Sequence, residues 1–188
     1  MFFVATEGRK TEPQYFAMLN SQSATVWVHC LTPKASAPAS VRRTMDRHLA
    51  EQGIRPGDEA WLVVDKDRWP EAEIDSLCQW ASAQHRGLAV SNPKFEYWLL
   101  LHFEDGAGAA TPAEITRRLR LHLPEYDKGV NQAAFPVGSV AEAVTRARRR
   151  DSPPCRGWPR QPGQTTVYRL VERILEAEAV SSARKSAV

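Results

Sequence analysis

A chain of 188 residues, 43% hydrophobic and 25% charged, with a formal net charge of +3, has the make-up of one ordinary globular domain long enough to bury a core. No apolar run approaches the roughly 20 residues that cross a bilayer. Cys30, Cys78 and Cys155 are odd in number and widely spaced, which argues against a disulfide framework and a cysteine-based zinc site. The reducing cytoplasm is the expected setting. The apolar start, Met1 to Ala5, has no basic segment before it and no small-residue cleavage pattern after it, so it reads as a first strand rather than a leader.

In chain order, residues 2–6 form a short β-prone run closed by a turn at Glu7-Gly8. A helix is expected from Thr11, with Tyr15, Phe16, Met18 and Leu19 on its apolar face. Residues 24–31 read as a strand. Ser40 is placed to cap a helix running to about Gln52, after which Gly53 and Pro56-Gly57 break the chain. The strongest strand signal is 59–65, an apolar run ending on Asp65. A helix over about 70–84 follows, carrying Ile74, Leu77, Trp80 and Ala81 at helical spacing. Residues 87–91 read as a strand and 92–103 as a helix, with Asn92 as its cap and Pro93 at its first position.

This alternation predicts βαβ units: an α/β fold with a mostly parallel sheet flanked by helices over 1–105. The small-residue linker 106–111 leads into a different part, 106–188, with amphipathic segments at 112–123 and 137–150. A loop rich in Pro, Gly and Arg follows, then a last helix at 165–179 and a frayed tail. Charge divides in the same way. Residues 1–105 carry 11 basic and 14 acidic side chains, about −3; residues 106–188 carry 14 and 8, about +6. An acidic first part suits a cation and a basic second part suits a phosphate backbone, though two solvated faces of unlike composition give the same numbers.

The acids have an order of their own. Functional groups of an open parallel sheet gather at the carboxyl ends of its strands. Glu7 directly follows the first strand, and Asp65 and Asp67 close the strongest one. Carboxylates on neighbouring strand ends, about 4.8 Å apart, suit Mg²⁺ or Mn²⁺, which keep waters and bind beside phosphates. An Asp after a strand is also an ordinary turn former. No phosphate-gripping G-x-x-x-x-G-K-[ST] loop is present, which argues against nucleotide hydrolysis of that type.

Three stretches together resemble the RloB-like family: Glu7-Gly8-Arg9-Lys10-Thr11-Glu12 with Tyr15-Phe16; Asp65-Lys66-Asp67-Arg68-Trp69; and Asn92 to Phe103, the most distinctive. Tyr126-Asp127-Lys128 and Thr165-Thr166-Val167 extend the match more weakly. The resemblance implies a Toprim-like, Rossmann-like core similar to that of topoisomerases, primases and OLD-type nucleases. Glu7 then serves as general acid/base or metal ligand, and Asp65 and Asp67 hold Mg²⁺ or Mn²⁺. It further implies metal-dependent cleavage of DNA or RNA in bacterial or archaeal phage defence, with a separate AAA-type ATPase as partner.

Other residues enter by position. Glu96 is a further metal-ligand candidate or a carboxylate favoured by a helix N-terminus. Lys10 is a candidate for charge stabilisation in catalysis or a surface lysine. His102 is a proton carrier or, in its apolar setting, a satisfied core histidine. Lys128, lifted by the family pattern, and Arg146, Arg148, Arg149 and Arg150 are candidates for holding nucleic acid, with Arg156, Arg160 and Trp158 conceivable as a stacking surface for a single strand. The rival readings are a non-catalytic subunit that binds nucleic acid or a partner on the same scaffold, and a phosphoryl-transfer enzyme acting on a small molecule.

Overall fold

The computed structural model describes residues 1–22, 25–127 and 129–186. Five strands, β1 (Phe2–Thr6), β2 (Val28–Leu31), β3 (Glu59–Asp65), β4 (Arg86–Asn92) and β5 (Gln164–Thr165), form one sheet in the order β2-β1-β3-β4-β5. The first four run parallel, with Phe2 opposite both Val28 and Glu59 and Leu62 opposite Leu88; β5 is antiparallel to β4, with Thr165 opposite Ser91. The helices are α1 (Thr11–Gln22), α2 (Pro38–Gln52), α3 (Glu71–Ala81), α4 (Glu96–Leu100), α5 (Pro112–His122), α6 (Ser139–Arg150) and α7 (Val167–Ser186). None is long and apolar enough to cross a membrane among the described residues.

The strands read as near-continuous apolar runs because both faces of the sheet are covered. Side chains alternate along each strand. Phe2, Val4, Trp61, Val63 and Ala89 therefore pack on one side, in a core shared with Tyr15, Phe16, Trp98, Leu119, Ala143 and Leu170. Ala5, Leu62, Val64, Leu88 and Val90 pack on the other, against Val41, Met45, Ile74, Leu77 and Trp158. The apolar cluster on the first face thus draws on both the alternating segment and the later helices. The chain leaves β1 toward β2 on one side and reaches β3 on the other. The order reverses between β1 and β3, the place where open sheets of this class form a crevice beyond their carboxyl ends.

The elements differ from the expectations at several points. The strand expected over 24–31 is confined to Val28–Leu31, and residue 24 lies outside the described residues. Helix α2 opens on Pro38 after Ala37, and Ser40 is buried in the first turn instead of capping it. Strand β4 continues through Asn92, and α4 starts only at Glu96. Asn92 is no cap: its amide donates to the Pro159 carbonyl at 3.0 Å, and its own carbonyl accepts from Gly163 at 2.8 Å. That pairing creates β5, which two residues of sequence cannot announce. The last helix runs to Ser186, beyond the expected end at 179.

Candidate acidic site

Each acid at the sheet's carboxyl end is placed by backbone that the sheet already fixes. Glu7 continues the β1–β3 ladder, donating its N–H to the Val63 carbonyl at 3.0 Å. Its carboxylate is held on both oxygens: Oε2 accepts from the Asp65 N–H at 3.1 Å, and Oε1 accepts from the Trp69 indole at 3.0 Å. Asp65 ends β3. Beyond it the chain is stitched to the end of β4, Lys66 N–H to Ser91 O at 2.8 Å and Asp67 N–H to Pro93 O at 2.9 Å. Asp67 is exposed and has a φ of +24°, backbone territory that Asp tolerates better than most residues.

Glu12, unassigned in the sequence reading, joins them. It sits in the first turn of α1, only 5% exposed, and its Oε1 accepts from the Gly8 N–H at 3.0 Å. A Cβ at Gly8 would lie 1.9 Å from Glu12 Oε2, so any larger residue there would push the Glu12 carboxylate out of its present place. Glu96 opens α4, 9% exposed, and accepts from the Tyr126 hydroxyl at 3.1 Å. That hydroxyl lies 3.4 Å from Thr11 Oγ1, which ties the loop after α5 to the start of α1.

These carboxylates feel one another. Burial raises the Asp65 carboxyl well above its ordinary value, and the charges of Glu12, Glu7 and Glu96 add to the shift. Burial lifts Glu12 to about 7, assisted by Glu96 and Glu7 against the pull of backbone hydrogen bonds. Glu7 is also raised, chiefly by burial, with the Trp69 and Asp65 hydrogen bonds opposing. Among the described residues none of Glu7, Glu12, Asp65 and Glu96 forms an ion pair.

Hard oxygen donors carrying crowded negative charge are the chemistry that Mg²⁺ and Mn²⁺ take. Among the described residues, no three His, Cys, Asp or Glu side chains are grouped so that they could hold a metal ion. Mg²⁺ does not require such a cage, since it binds through one or two carboxylates, waters and substrate phosphate. The donor set fits it in kind.

A family model described as RloB-like protein matches residues 2–174. The chain belongs to the RloB-like family. No curated protein and no solved structure matches it.

The remaining candidates of this RloB-like chain fall elsewhere. Lys10 is exposed and donates to the Asp127 carbonyl at 3.1 Å, so its ammonium faces the loop after α5. Lys128 lies outside the described residues. Arg146 donates to the Leu101 carbonyl at 2.8 Å and to Glu142 at 2.7 Å, and Arg148 pairs with Glu172 at 2.5 Å. Arg149 is exposed, and Arg150 is half-buried with its carbonyl accepting from Gln164. Trp158 corrects the stacking idea. It is 1% exposed, donates its indole N–H to Asp75 at 2.8 Å, and carries the Arg160 guanidinium 3.9 Å from its ring centre. His102 is a core histidine: its ring nitrogens lie 3.0 Å from Ser139 and 3.2 Å from Tyr15, and burial lowers its pKa to about 3. Three residues that matter at the acidic end went unassigned: Glu12, Trp69 and Tyr126. For Glu12 a signal existed, an acid in the first turn of the helix that leaves the Glu7 turn, with a glycine between.

Proposed function

We propose that this RloB-like protein is a Mg²⁺- or Mn²⁺-dependent nuclease with a Toprim-like core, hydrolysing phosphodiester bonds of DNA or RNA. The observation that carries the reading is the convergence of Glu7, Glu12, Asp65 and Glu96 at the carboxyl ends of β1, β3 and β4, where Glu7 and Glu96 add to the cost of charge on Glu12 and Asp65. A cation bound there would relieve that cost and attract a phosphate.

When bound, the metal neutralises charge on the phosphate and favours deprotonation of an attacking water. The protein's own groups do the rest. Asp65, Asp67 and Glu7 would hold the ion, one or two of them as direct ligands and the rest through its waters, with Glu12 and Glu96 adding negative charge around it. Glu7, raised above its ordinary value by burial and oriented by Trp69 and the Asp65 N–H, is suited to take the proton of the attacking water. The water oxygen bonds to phosphorus, the bond to the leaving sugar oxygen breaks, and that oxygen takes up a proton. A role in phage defence and a separate AAA-type ATPase partner belong to this reading through the family.

Labelled DNA and RNA incubated with Mg²⁺ or Mn²⁺, with and without a chelator, tests it. Asp65→Asn is expected to lower cleavage by more than about 100-fold, above the loss typical of a residue that only supports a ligand. Melting with and without the metal should show stabilisation of the wild type and little in Asp65→Asn. Cleavage at the wild-type rate by Glu7→Ala, Asp65→Ala and Asp67→Ala alike would overturn the assignment. Salt-sensitive binding that ignores chelation, without cleavage, would mark a binding subunit instead.

A further inference from the structure

Beside the acidic end, a cavity of about 530 Å³ opens between Gln14 of α1, His122 at the end of α5, Tyr126, Val130, Asn131 and Ala134. That volume lies within the range of sites that enclose small organic groups. Tyr126 is the residue it shares with the acids: it belongs to the cavity wall, and its hydroxyl reaches Glu96 at 3.1 Å. Lys10 stands at the same junction. Its ammonium donates to the Asp127 carbonyl at 3.1 Å, and a Cβ on Gly129, itself in the cavity wall, would lie 3.8 Å from it. Next to the carboxylates stand a phenol and an ammonium, and beside these a recess lined by aromatic, amide and apolar groups and one carboxylate, Glu125. A cleaved phosphate, the adjoining backbone and a base present their chemistry in that same order.

We propose that the cavity is a subsite for one unpaired nucleobase of a single-stranded nucleic acid, next to the phosphate cleaved at the acidic end; this rests on the nuclease reading above. His122, partly exposed and stacked on Phe103 at 4.9 Å and 9°, supplies an aromatic ring, with Tyr126 behind it in the wall. Gln14 and Asn131 supply amides that carry both donors and acceptors, as a base edge demands. Both are held in place: Gln14 Oε1 accepts from the Val130 N–H at 2.8 Å and Asn131 Oδ1 from the Ala133 N–H at 3.1 Å. A base stacked in a duplex reaches such a recess only by leaving its stack, which selects single strands.

The test is equilibrium binding of a short fluorescein-labelled oligonucleotide, DNA and RNA, to wild-type protein in Ca²⁺, followed by anisotropy. The same strand is measured with one abasic residue at each position in turn, and as a duplex. One abasic position should weaken binding on the order of tenfold, the others little, and the duplex should bind more weakly than the strand. Ala134→Trp fills the recess from an exposed position and should bind intact and abasic strands equally, its melting temperature confirming that it is folded. No penalty at any abasic position in the wild type, or a penalty kept in folded Ala134→Trp, overturns the subsite. A free nucleoside monophosphate that competes as well as the strand overturns it in favour of a mononucleotide site. Wild type that cuts strands but shows no abasic penalty loses the subsite and keeps the nuclease. Wild type that shows the penalty but never cuts loses the nuclease and keeps a base-binding recess.

Discussion

At the carboxyl ends of β1, β3 and β4, Glu7, Glu12, Asp65 and Glu96 crowd together without an ion pair among the described residues, and the burial of Glu12 and Asp65 raises the cost of their charge. Along α6, α7 and the segment between them, charge is met by charge. Arg146 faces Glu142, Arg148 faces Glu172, Arg160 faces Glu71 and Asp75, Arg169 faces the buried Asp151, and Arg173 faces Glu59 and Glu176. The net charge of a segment is therefore a poor guide to where charge is available. These arginines are spent on pairs within and between the later helices, on α3 and, through Arg173, on β3, while the acidic end leaves its carboxylates to one another.

The sharpest way to break that contrast is on the basic side. Trp158→Ala should cost about 3–5 kcal/mol of stability, measured by denaturant unfolding, because a buried indole and its bond to Asp75 are lost. A near-neutral result would mean that the segment is not part of the core. At the acidic end, Gly8→Ala should lower metal affinity or cleavage by about 10–100-fold, since the added methyl displaces Glu12 without touching a ligand directly. Calorimetric titration with Mn²⁺ reads this, and unchanged affinity would remove Glu12 from the site.

A milder effect is a reversed pH dependence. Glu12 and Asp65 bind protons more tightly folded than unfolded, so their contribution to stability declines as pH rises; for Glu12 the window runs from its ordinary 4.5 to about 7. Without divalent metal, melting temperature should fall between pH 5 and 7 by this route, and Glu12→Gln should flatten the fall. A Glu12→Gln profile that parallels the wild type would show that the crowding is not felt. The smallest effect belongs to the exposed Arg148, paired with the half-buried Glu172: Arg148→Ala should change stability by no more than about 1 kcal/mol, and less in high salt.

Which parts of this were readable in the chain follows from how far each feature depends on distant partners. Strand β3 announced itself because residues 59–65 are apolar on both faces and end on an acid, so Asp65 and its neighbour Glu7 were placed by local pattern alone. The end of β4 was misread because Asn92-Pro93 has the local look of a helix start. Its true partners, Pro159 and Gly163, are about seventy residues away. Trp158 was misread for a similar reason: an aromatic among arginines looks exposed until Asp75 and the α3 face close over it. Tyr126 reaches Glu96 across thirty residues, a distance at which periodicity says nothing.

Strand β5 carries a consequence for the order of manufacture. The end of β4, on which the Asp67 turn leans, is pinned by Ser91 to Thr165 at 2.9 Å and by Val90 to Thr166 at 2.9 Å. A chain emerging from the ribosome therefore displays all its acids long before it owns the residues that brace them. The enzyme proposed here would be assembled last at its most dangerous point, and a nascent chain stalled before Thr165 would carry the acids without that brace.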